Sequence, residues 1–185
     1  LTRLLSSGRP QQPVDGKWQG KSECRLGWDD VERWSEGLVA ALVTGDAPDD
    51  AALRRLKDLF GDRAYAAISW RRRPGDMVRF DALDRAARAR GVVPLATGDV
   101  LFHAPGRRML QDVVTAIREN VTIDALGFRR ERHADRHLKS VAEMERLFAP
   151  WPRMIAATLE IVERCAFDLG QLAYQYPSEV PDGVS

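Results

Sequence analysis

Three short apolar runs, separated by stretches with helical spacing, most constrain what this chain can fold into. Leu38-Val39-Ala40-Ala41-Leu42-Val43, the stretch Ala64 to Trp70, and Val92-Val93-Pro94-Leu95-Ala96 suit buried parallel strands. Between the first two, Asp49 or Asp50 caps a helix whose Leu53, Leu56 and Phe60 fall at i, i+3 and i+7 before Gly61 ends it. Between the second and third, Asp76 to Arg90 has helical spacing that Gly91 terminates. Parallel neighbours need a long return path, so the alternation predicts an α/β fold: a parallel sheet or barrel with outer helices. Loops at the strand carboxyl ends are then where function should collect.

The flanks read differently. Leu1-Thr2-Arg3-Leu4-Leu5 looks like the last turns of a helix and no initiator Met is present, so a truncated chain is expected. Gly8 to Lys21 lacks apolar periodicity and reads as a loop; order resumes near Cys24, with Asp29 capping a short helix through Trp34 and Gly37 stopping it. Beyond Arg107 the pattern predicts helices only. Met109, Val113 and Ile117 stripe one, Val141, Met144 and Leu147 another, and Pro152 opens a last helix with Ile155, Leu159 and Val162 on one face, running to about Ala166. The stretch from Pro177 to Gly183 is rich in Pro, Gly and acids, as linkers are.

Charge and motifs exclude several function classes. Lys plus Arg number 28 and Asp plus Glu 27, a net charge of +1 that leaves room for local nucleic-acid contact but no general basic coat. The two cysteines, Cys24 and Cys165, have no C-x-x-C partner, which suits free thiols and a cytoplasmic protein. No apolar run approaches the roughly 20 residues of a membrane span. With neither a G-x-S-x-G elbow nor a phosphate loop, no catalytic residue is assigned.

The most informative stretch is Ala96-Thr97-Gly98-Asp99-Val100-Leu101-Phe102-His103, which brings a carboxylate and an imidazole to a strand mouth. Asp99 and His103 could ligate zinc or manganese, with His133 and His137 the remaining imidazoles; alternatively Asp99 caps a turn and His103 is a surface residue. His133 and His137 would share a face if helical, but the run Arg129 to Lys139 holds five Lys or Arg against two acids, which opposes a cation. Arg129, Arg130 and Arg132 are better candidates for phosphate, against the alternative of a solvated face. Arg71-Arg72-Arg73 is a second basic cluster. Neither interleaves aromatics with charge, and Trp18, Trp28, Trp34, Trp70 and Trp151 read as packing residues.

Several blocks resemble a known family. They are Ala96 to Pro105, Arg107-Arg108-Met109-Leu110-Gln111-Asp112-Val113 with Ile117-Arg118, Arg136-His137-Leu138-Lys139 with Ala142-Glu143-Met144 and Leu147-Phe148, Glu160 to Cys165, and Leu172 to Pro177. Weaker similarity covers Glu23-Cys24-Arg25-Leu26 and Glu36-Gly37-Leu38. Together they resemble the PHP domain of bacterial error-prone, C-family DNA polymerases. Replicative relatives carry Asn-Asp-Val-His, where Asp and His help hold a metal cluster; the matching positions here are Gly98, Asp99, Val100 and Leu101. Leu101 has no lone pair to give, and His103 matches the error-prone branch.

The resemblance implies a fragment of a polymerase that copies damaged DNA, carrying the later part of a PHP-type βα barrel over 1–106, a helical segment over 107–176 and a linker over 177–185. It implies a scaffold role, with magnesium for nucleotidyl transfer held by aspartates outside this segment. The implied partners are the remainder of the polymerase chain, primer–template DNA, deoxynucleotides, a sliding clamp and mutasome accessory proteins. A metal-dependent phosphoesterase and a non-catalytic binding module are the rival readings.

Overall fold

The computed structural model describes residues 1–9, 24–70 and 72–173. Most of the expected loop, Trp18, Glu23, Arg71, Tyr174-Gln175-Tyr176-Pro177 and the expected 177–185 linker lie outside the described residues. Two short helices, α1 (Thr2–Ser7) and α2 (Trp28–Arg33), precede the sheet. The cap of α2 differs from expectation: Gly27 is the N-cap and donates its N–H to Asp30 Oδ2 at 2.9 Å, while Asp29 pairs with Arg55 at 3.0 Å.

Three parallel strands, β1 (Ala40–Val43), β2 (Ala64–Ser69) and β3 (Val93–Thr97), form a sheet in that order. Ala40 lies opposite Ala64, and Tyr65 opposite Val93. Every residue of the central β2 is buried. By contrast β1, an edge strand, starts two residues after the apolar run does and alternates half-buried with exposed.

The connections are α3 (Asp50–Phe60) and α4 (Asp76–Ala89). Asp49 caps α3 by accepting the Ala52 N–H at 2.9 Å, and Leu53, Leu56 and Phe60 pack with Ala64, Ala66, Ala87 and Val92. Gly91 turns the chain from α4 into β3 at φ +67, a backbone region open to glycine, and a Cβ there would stand 3.3 Å from Lys57 Cε. A second cluster joins Ile68, Phe80, Leu83 and Ala96 to Phe148, Trp151 and Met154.

After β3 come α5 (Arg108–Glu119), α6 (Val141–Leu147) and α7 (Pro152–Arg164). Two expected stripes are only partly turned inward. On α5 the buried residues are Asp112, Thr115 and Ala116, whereas Met109 and Ile117 are exposed, because the inward face carries the polar contacts that hold the following loop. On α7 the buried residues are Met154 and Ala157, with Ile161 packed beside Tyr65 and Leu95; of the expected stripe Ile155 packs against the aromatic cluster, while Leu159 and Val162 are exposed. Ala157 lets the helix approach the sheet closely, and Leu159 and Val162 lie off that line of contact.

The segment 130–140 is not helical. His137 forms a parallel bridge with Phe102, the Arg136 carbonyl accepts from Leu101 N–H at 2.9 Å, and Leu138 N–H donates to the Phe102 carbonyl at 3.1 Å. Pairing with residues 101–102 satisfies its backbone in extended form, so His133 and His137 share no helix face. Among the described residues no helix is long and apolar enough to cross a membrane.

Candidate functional site

The carboxyl ends of β2 and β3 open onto a cavity of about 510 Å³. Trp70, Arg72, Arg73 and Pro74 line it from the turn after β2, and Asp99 from the turn after β3. The segment 128–136 supplies the rest, with Phe128, Arg129, Arg130, Glu131, Arg132, His133 and Arg136. Of the three described non-glycine residues with positive φ, two line this cavity: Arg72 at +50 and Asp99 at +45. Strained backbone held in place by its surroundings is a feature of binding and catalytic sites.

Buried polar groups set the geometry. Behind the first turn, the buried Asp76 accepts the Arg73 N–H at 3.2 Å and pairs with the half-buried Arg79 at 3.0 Å, and Arg79 also donates to the Ser69 carbonyl. Behind the long segment, the buried Asp112 of α5 accepts the Glu131 N–H at 3.2 Å while Arg108 donates to the Glu131 carbonyl at 2.7 Å. Both backbone groups of Glu131 are therefore fixed, and with them the residues on either side.

Four of the six lining arginines are matched by acids. Arg72 pairs with Asp135 at 2.8 Å, Arg73 with Asp46 at 3.0 Å, Arg129 with Glu119 at 2.9 Å, and Arg136 with both Asp99 at 2.9 Å and Glu131 at 2.8 Å. Arg130 and Arg132 are exposed and make no ion pair among the described residues. The chain is close to neutral, yet this cavity carries an excess of positive charge.

The expected metal candidates do not converge. Asp99 is engaged by Arg136, and His103 is exposed and outside the cavity lining. His133 Nδ1 accepts the Asp135 N–H at 3.3 Å, and His137 Nδ1 lies 2.9 Å from the Ala134 carbonyl. Among the described residues no group of three or more His, Cys, Asp or Glu side chains is placed to hold an ion. A guanidinium lies on the Asp99 carboxylate at the strand mouth with further arginines around it, a setting that favours an anion.

Arg129, Arg130 and Arg132 do come together with Arg72 and Arg73 of the second basic cluster. Trp70, expected as a packing residue, and Arg136, noted only within a family block, also line the cavity, as does Phe128, which no motif marks. The available signal was adjacency: an aromatic directly precedes each basic cluster, Trp70 before Arg71 and Phe128 before Arg129.

No family model matches the chain. Error-prone DNA polymerase 1 of Agrobacterium fabrum is 54% identical over 181 residues, 97% of this chain and 16% of that protein. Error-prone DNA polymerase 2 of the same organism is 50% identical over 182 residues, again 97% and 16%. The error-prone DNA polymerase of Caulobacter vibrioides is 42% identical over 187 residues, 99% of this chain and 17% of that protein. The chain thus spans about a sixth of the length of the curated relatives it matches.

Proposed function

We propose that this chain is a segment of an error-prone DNA polymerase, acting there as a PHP-type scaffold and not as the nucleotidyl-transfer centre. The observation that carries the reading is identity of 54% running through 97% of the chain to a protein named for that activity. In this reading 1–106 is the later part of a βα barrel, 107–176 leads to the polymerase body and 177–185 links onward. The exposed apolar residues of α5 and α7, Ile117, Leu159 and Val162 among them, support it, because such faces suit packing against more polypeptide.

The intact enzyme would then extend primers past damaged template bases in damage-induced mutagenesis, in the cytoplasm, with a sliding clamp and mutasome accessory proteins. Magnesium would be held by aspartates elsewhere in the protein and would supply charge stabilisation for phosphoryl transfer. Arg129, Arg130 and Arg132 would offer nucleic-acid contact beside the scaffold. The full-length protein should extend a primer across an abasic site with deoxynucleotides and magnesium; no extension on any template would overturn the polymerase reading. Stoichiometric zinc or manganese, lost on Asp99→Ala, would replace the scaffold by a metal-dependent phosphoesterase.

A further inference from the structure

We propose that the arginine-lined cavity at the ends of β2 and β3 holds a single-stranded nucleic-acid segment, one base stacked on Phe128 and the neighbouring phosphates on Arg130 and Arg132. The inference rests on the polymerase reading above and adds to it a binding site with a defined ligand class.

Phe128 is the first support. Its ring is 98% exposed, although a phenylalanine gains about 1.5–3 kcal/mol by burial elsewhere in a protein. The exposure is built in. Gly127 adopts φ +53 and ψ −126, which turns the chain outward. On one side Leu126 is buried, and on the other Arg129 is held by Glu119 and by the Leu126 carbonyl at 3.4 Å. A ring presented from a fixed platform loses little freedom when a base covers it.

Charge is the second support, and it is independent of the first. Asp99 and Glu131, the acids of the cavity, share Arg136, and the one negative charge this trio keeps is outweighed by Arg130 and Arg132. Arg130 and Arg132 flank Glu131, whose backbone is clamped at both ends by α5. Two guanidiniums with no ion pair among the described residues, carried on backbone beside the clamped Glu131, can each fork onto a phosphate. The volume, about 510 Å³, falls within the roughly 300–1,000 Å³ typical of ligand cavities. Strandedness follows from the stacking: a duplex keeps its base faces covered, whereas every unpaired base offers a face to an aromatic ring.

The test uses the full-length protein and a thymidine oligonucleotide carrying 5-iodouracil, irradiated and mapped by peptide mass spectrometry. A cross-link at Phe128, absent with the same sequence as a duplex, is expected. Phe128→Leu should abolish the cross-link and, in a binding titration, weaken affinity about tenfold. Arg130→Ala with Arg132→Ala should flatten the plot of log affinity against log salt by about 1.4, roughly 0.7 per phosphate contact on single strands. These side chains are exposed, so the variants should keep the wild-type melting temperature. Primer extension on the same preparation separates the two readings: extension without any cross-link at Phe128 overturns this inference alone. Equal cross-linking by the duplex, or full competition by free thymidine monophosphate at matched nucleotide concentration, overturns it as well.

Discussion

Arg136 grips Asp99 twice, Nη2 to the carboxylate and Nε to the backbone carbonyl, each at 2.9 Å. This ties segment 131–137 to the turn after β3 and occupies the carboxylate that a metal ion would need. Asp99→Ala should therefore leave zinc and manganese content unchanged by elemental analysis, and neither ion should raise the wild-type melting temperature. The lost pair is half-exposed and worth about 1 kcal/mol or less. Alanine adds strain at φ +45, so Asp99→Gly should be milder than Asp99→Ala by about 1 kcal/mol in urea denaturation. Equal stability of the two variants would show that the left-handed backbone at this turn is not under strain.

Phe80 is the centre of the aromatic cluster, with ring centroids 5.0 Å from Trp70, 5.5 Å from Phe148 and 4.9 Å from Trp151. It joins α4 to the helical segment beyond β3. Phe80→Ala removes a fully buried ring that three others surround, so about 3–5 kcal/mol of stability should go. Against a typical total of about 5–15 kcal/mol, the near-ultraviolet circular dichroism of the tryptophans should weaken with it. Phe80→Leu should cost less than half as much.

Local signals were enough for the sheet and its crossovers. The Asp49 cap, the stripe Leu53, Leu56 and Phe60, and the stop at Gly61 are neighbours in sequence, and each acts within one or two turns. The later helices were found, but a stripe tells which residues share a face and not what that face meets. On α5 the inward face is set by Asp112 and its hold on Glu131, a contact 19 residues away. The site had the same difficulty. Arg129, Arg130 and Arg132 read as a cluster, but their convergence with Arg72, Arg73 and Asp99 depends on β2 and β3 lying side by side. Phe128 adjoins that cluster in sequence, but adjacency does not reveal an outward turn at Gly127.

Asp84 is a buried carboxylate shared by two helices, accepting from Arg88 of α4 at 2.9 Å and Arg153 of α7 at 2.7 Å. Both guanidiniums are about half-exposed, so it is the acid that cannot reach water. Arg153→Met should cost about 1 kcal/mol, because Arg88 still answers the charge. Changing both arginines to Met strands a buried carboxylate and should cost about 3 kcal/mol or more. Asp84→Asn in that double variant should restore part of the loss. A double variant no weaker than the sum of the two singles would mean that the arginines act independently, against this picture of a shared charge.

Tyr65 gives the fold an alkaline limit. Burial, followed by its hydrogen bond to Glu160 Oε1 at 2.8 Å, pushes the phenol up from its usual 10 to about 12. Below about pH 10 the unfolded chain also keeps this proton, so the stabilisation is fully present. Between about 10 and 12 the unfolded chain releases it while the folded one does not, and stability falls as pH rises through that window. Tyr65→Phe removes the titrating group. Its melting temperature should be slightly lower at neutral pH, from the lost hydrogen bond, and should decline less steeply than wild type from pH 10 to 12. Parallel declines would mean that other groups, and not Tyr65, set the alkaline limit.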